Sequence, residues 1–84
     1  MKFCIITFRS ITPAQRGEGV LRRAGMECSV QRTPKWMEDQ GCGYSLRLRA
    51  HQAMPAVELL RSHEIPYRRV YLQRESGKVE EMTL

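Results

Sequence analysis

The tightest constraint on the fold is a change of apolar spacing that occurs twice in the same order. Phe3 to Phe8 (FCIITF) is a short apolar run rich in β-forming residues, which predicts a buried central strand. The spacing then becomes helical: Ala14, Gly17, Leu21 and Ala24 share one face, with Val20 beside them. Thr12-Pro13-Ala14-Gln15 reads as an N-cap, a first-turn proline and a capping box, and Gly25 stands where a left-handed C-terminal cap belongs. A helix over about residues 13–24 is expected, and its small-sided stripe requires close packing.

Alternation returns with Met26, Cys28 and Val30, and again with Tyr44, Leu46 and Leu48, giving two further strands. Ala53, Ala56, Val57 and Leu60 mark a second helix, in which Pro55 is tolerable only in the first turn. Pro66 ends that segment, and Tyr67 to Gln73 alternates as a fourth strand, with Val70 and Leu72 on one face. The order is β-α-β-β-α-β. Two split β-α-β halves of this size predict an α+β ferredoxin-like sandwich: four antiparallel strands in spatial order 4-1-3-2, with both helices on one face. Residues 1–73 form this domain, and residues 74–84 a polar tail or small added hairpin.

Eighty-four residues allow one domain with one modest core. Apolar content of 42% and charged content of 27% suit a globular chain. No apolar run is long enough for a membrane span, and Met1-Lys2 leads into a strand rather than a signal peptide. Three irregularly spaced cysteines argue against a disulfide framework, so the cytoplasm is the expected compartment. The net charge is +5, and +6 without residues 74–84, an excess that suits anionic partners as well as simple solubility.

Gln40-Gly41-Cys42-Gly43 holds a thiol between two glycines. In the expected topology the first strand ends where the third begins, which sets Cys42 and Gly43 beside Arg9, Ser10 and Thr12 at the start of the first helix. The helix N-terminus and Arg9 would favour the thiolate, whereas Glu38 and Asp39 would oppose it. Gly41 and Gly43 would leave a bulky sulfur donor room to approach. A lone loop cysteine is more often a bystander than a nucleophile, and Cys4 and Cys28 read as core side chains. The cysteines do not converge, and His51 and His63 fall at opposite ends of the second helix, so no metal site is expected. Trp36 and Met37 read as a hydrophobic plug over the end of the sheet.

ITFRSITPAQ, LRRAG, TPKWMEDQGCGYSLRL and AVELLRSHEIPYRRVY resemble the small bacterial Se/S carrier protein-like family. The resemblance rests on Phe8, Ser10, Ala14, Ala24, Gly25, Thr33, Pro34, Cys42, Gly43, Ile65 and Tyr67, in order over most of the domain. Members commonly carry Ser or another small residue ahead of Cys-Gly, where this chain has Glu38-Asp39-Gln40. The resemblance implies carriage of sulfur or selenium on Cys42 as a persulfide or selenopersulfide. The chain would be a carrier without a cofactor, served by donor and acceptor proteins.

Two other readings compete. Alternation sends Arg47, Arg49, Arg69, Tyr67 and Tyr71 to the face without helices, the surface on which RNA-recognition modules stack bases. GCGYSLRL, however, lacks the aromatic consensus those modules place on the third strand. Phe3 and Ile5 on the same face would alternatively support a sheet-to-sheet homodimer. A small-molecule regulatory module rests on fold analogy alone.

Overall fold

The computed structural model of the chain describes residues 2–33 and 43–82. Its elements are β1 (Phe3–Phe8), α1 (Ile11–Arg23), β2 (Ser29–Arg32), β3 (Tyr44–Arg49), α2 (Ala53–Ser62), β4 (Val70–Gln73) and β5 (Val79–Met82). A single turn of 3₁₀ helix, Ala50–Gln52, leads into α2. The five strands form one antiparallel sheet in the order β2-β3-β1-β4-β5. The first four follow the expected order; the expectation of four strands is corrected to five.

Cys4, Ile6 and Phe8 of β1, Leu46 and Leu48 of β3 and Val70 of β4 share a buried cluster with Ala14, Leu21, Ala53, Ala56, Val57 and Leu60. Both helices therefore cover the same face of the sheet. Gly17 is what lets α1 approach closely. A Cβ there would lie 3.1 Å from a methyl of Leu60 and 3.2 Å from one of Leu46.

Helix α1 starts two residues before the expected position. Ser10, not Thr12, is the N-cap, its side chain makes no capping hydrogen bond, and Pro13 is the third helical residue. No N–H in the first turn has an intrahelical partner, so proline fits there as well as at the first position, and the sequence could not distinguish the two. The other end follows the expectation. Gly25 has φ +85°, its N–H donates to Arg22 C=O at 3.0 Å, and Met26 N–H donates to Leu21 C=O at 3.0 Å. This is a Schellman cap. Helix α2 ends in the same hydrogen-bond pattern, Glu64 to Arg61 at 3.1 Å and Ile65 to Leu60 at 2.9 Å. Here the left-handed position is occupied by Glu64, at φ +55°.

The chain entering β4 departs from simple alternation. Arg68 N–H donates to Thr7 C=O, and Thr7 N–H to Arg69 C=O, both at 2.8 Å. Two residues thus oppose one, which makes a β-bulge. Regular β4 begins only at Val70, so the fourth strand is shorter than the expected Tyr67–Gln73. The extra residue also reverses the face of what precedes it. Tyr67 packs against the helix-side core, and its hydroxyl accepts from Arg61 Nε at 3.1 Å.

Residues 74–78 turn the chain back. Gly77 N–H donates to Arg74 C=O at 2.9 Å and Arg74 N–H to Lys78 C=O at 2.8 Å, with Gly77 at φ +88°. This is a type I turn closed by a glycine bulge, a common hairpin connection. It brings Val79 against Ile5 and Tyr71, a small second cluster on the face away from the helices.

Candidate functional site

The register of β1 and β3 defines the site's location. Phe8 pairs with Tyr44, so Arg9 and Gly43 are each one residue beyond the last pair at the same end of the sheet. Thr33 N–H donates to Gly43 C=O at 3.0 Å, tying the end of β2 to the same place. Ser10, the N-cap of α1, follows Arg9 directly. Arg9, Ser10 and Thr12 are exposed, and Gly43 is buried. The first turn of α1 holds no acidic side chain, and the Ser10 side chain makes no capping hydrogen bond. That end of the helix retains the partial positive charge of its free N–H groups.

Cys42 and Gly41 lie outside the described residues, as do Pro34, Trp36, Met37, Glu38, Asp39 and Gln40. The expectations for the thiol, for the acidic pair beside it and for the plug all fall on this segment.

The other two cysteines are described, and both are buried. Cys4 has no exposed surface, and burial pushes its thiol up to about 12. Cys28 is 7% exposed. Burial and the Glu18 carboxylate push its thiol up, against a smaller opposing pull from Arg22. A thiol held protonated is a poor nucleophile, so both behave as small core side chains.

Two residues that the sequence reading did not assign to the site belong to its surroundings. Thr33 and Ser45 are buried, and among the described residues neither Thr33 Oγ1 nor Ser45 Oγ has a hydrogen-bond partner. Gln31 pairs with Ser45, so strand alternation puts Thr33 and Ser45 on one face, beside the Gly43 backbone. A serine amid Tyr44, Leu46 and Leu48 looks like an ordinary solvent-facing residue. Only its pairing with fully buried Thr7 shows that it is enclosed.

The base-stacking platform of the competing RNA-binding reading does not assemble. Tyr67 lies on the helix side because of the bulge. Tyr71 is buried with Ile5 beneath Val79, and Phe3 is covered by Arg47, whose guanidinium lies 3.8 Å from the ring centre. Ile5 is 3% exposed. Among the described residues of the β5 hairpin, Val79 alone adds to this covering, packing on Ile5 and Tyr71.

A known family model matches most of the chain. That model, described as Putative Se/S carrier protein-like, matches residues 3–72. The chain belongs to this family. No curated protein and no solved structure matches it. The matched residues stop within β4, so β5 lies beyond them. Among the described residues, no helix is long and apolar enough to cross a membrane.

Proposed function

We propose that this protein is a sulfur or selenium carrier built on a ferredoxin-like frame of residues 1–73, extended by residues 74–84, and that Cys42 bears the cargo. In the transfer, the Cys42 thiolate attacks the outer sulfur of a donor persulfide. A bond forms between Cys42 Sγ and that sulfur, the donor's S–S bond breaks, and the donor leaves as its thiolate. The new persulfide on Cys42 loses its proton to solvent and is passed to an acceptor by the same exchange. Selenium follows the same route as a selenopersulfide. The balance needs no oxidant and no cofactor, and turnover belongs to the partner proteins.

The observation that carries this reading is the Phe8–Tyr44 register. It sets Gly43, bonded directly to Cys42, at the end of the sheet shared with Arg9 and the start of α1, which Ser10 does not cap with its side chain. A persulfide anion there gains from the helix dipole and from Arg9. Thr33 and Ser45, buried beside Gly43 on the face of the sheet away from the helices, have hydroxyls without a hydrogen-bond partner among the described residues. Membership of the family supports the same cargo. The burial of Cys4 and Cys28 leaves Cys42 as the remaining candidate among the three cysteines.

The test is intact-protein and peptide mass spectrometry after incubation with a persulfide donor. Added sulfur is expected on the peptide containing Cys42 and absent from a Cys42→Ser variant. Sulfur found only on Cys4 or Cys28 would sink the proposal.

A further inference from the structure

A cleft of about 720 Å³ opens at the end of the sheet opposite Gly43. It lies between the α1–β2 connection and the end of β3, where β3 continues past its last pairing with β2, Ser29 to Arg47. Leu48, Met26 and Cys28 give it apolar lining, and Arg22, Arg47, Arg49 and Glu27 stand around it, Arg22 being ion-paired with Glu18 at 3.7 Å. The arginines are not loose surface charges. Arg22 is fixed by two hydrogen bonds from Nε and Nη2 to Cys28 C=O, at 3.1 and 3.0 Å. Arg47 is exposed, and its guanidinium lies at stacking distance over Phe3. Among the described residues it forms no ion pair that would neutralise it.

We infer that this cleft is a binding site for an aromatic phosphate of about mononucleotide size. Ligand sites for such molecules commonly span some 300–1,000 Å³, and the cleft falls within that range. The Arg47 guanidinium, held over Phe3, suits a phosphate, because the planar fork of arginine matches its oxygens and loses little freedom on binding. A stacked guanidinium also offers a flat cationic surface on which a heteroaromatic ring can lie, while Leu48 and Met26 provide an apolar wall. The nearby end of α1 opposes an anion. The carbonyls of Val20, Leu21 and Arg22 accept from the N–H groups of Ala24, Gly25 and Met26, which blunts that opposition. The cleft stands apart from the end of the sheet proposed to carry sulfur, and the inference does not depend on that proposal.

The full chain, labelled with nitrogen-15, would be titrated with adenosine diphosphate, adenosine, inorganic pyrophosphate and a hexaglutamate peptide at low salt. Adenosine diphosphate is expected to shift the amides of Phe3, Met26, Ser29 and Leu48 saturably. The exposed change Arg47→Gln should weaken this binding about ten-fold, and Arg16→Gln on the outer surface of α1 should leave it unchanged. Adenosine and pyrophosphate alone should each bind more weakly. The inference is overturned by the absence of saturable shifts, by equal losses in the two variants, or by pyrophosphate binding as tightly as the nucleotide. Tighter binding of hexaglutamate at the same amides would also overturn it, marking the cleft as a dock for an acidic protein segment.

Discussion

The hydroxyl of Thr7 accepts a hydrogen bond at 3.0 Å from the backbone N–H of Arg69, 62 residues away in the chain. The same oxygen lies 3.3 Å from Arg69 C=O, to which it donates. A β-bulge leaves one N–H without its ladder partner, and here a side chain supplies the missing acceptor. Thr7 has no exposed surface, so water cannot take over that role.

Thr7→Val keeps the shape and removes the hydroxyl. It should destabilise the fold by about 1–3 kcal/mol, the usual cost of stranding a buried donor. Urea unfolding measures the loss, and hydrogen exchange at Arg69 should accelerate more than at Val70.

Glu64 occupies a left-handed cap at φ +55°, where a side chain is strained. Glu64→Gly should stabilise the protein by about 0.5–1 kcal/mol, the strain relief being partly offset by the greater freedom of glycine in the unfolded chain. A higher thermal midpoint with an unchanged denaturant slope is the expected signature; no change would mean the backbone there relaxes at no cost.

Gly17 faces fully buried Leu46 and Leu60. Gly17→Val must push α1 away from the sheet and should cost about 1–3 kcal/mol or more, despite the better helix-forming residue. Circular dichroism should show helix content retained at low temperature while the midpoint falls.

Cys4 links stability to alkaline pH. Its folded pKa of about 12 lies above the unfolded value near 9, so between these limits the unfolded chain releases a proton that the folded chain keeps. The contribution of Cys4 is fully present below pH 9 and declines by about 1.4 kcal/mol per pH unit as pH rises towards 12. Cys4→Ala is less stable at neutral pH because it leaves a void, but its stability should fall less steeply above pH 9. Parallel curves for the two proteins would contradict the assignment.

Thiol accessibility separates the three cysteines. In the native protein at pH 8, iodoacetamide should modify Cys42 on the timescale of a free thiol. Cys4 should react only as fast as the whole protein unfolds. Mass spectrometry of the digested protein over time distinguishes them, and modification of Cys4 at the Cys42 rate would refute the burial argument.

The sequence by itself determined the β-α-β-β-α-β order up to β4, the face of each of those strands that carries the core, the glycine cap of α1 and the family. Each is written in local spacing or in an ordered motif, and local backbone preference is enough to express it. Alternation across Phe3–Phe8 could thus assign Cys4 and Ile6 to the helix side without knowledge of any neighbour. The tertiary structure alone decided the bulge that moves Tyr67 to the helix side, the pairing of β5 that packs Val79 on Ile5 and Tyr71, the enclosure of Ser45, and the stacking of Arg47 on Phe3. These depend on hydrogen bonds and contacts between segments distant in the chain. No periodicity within one segment encodes what the opposing strand will offer it.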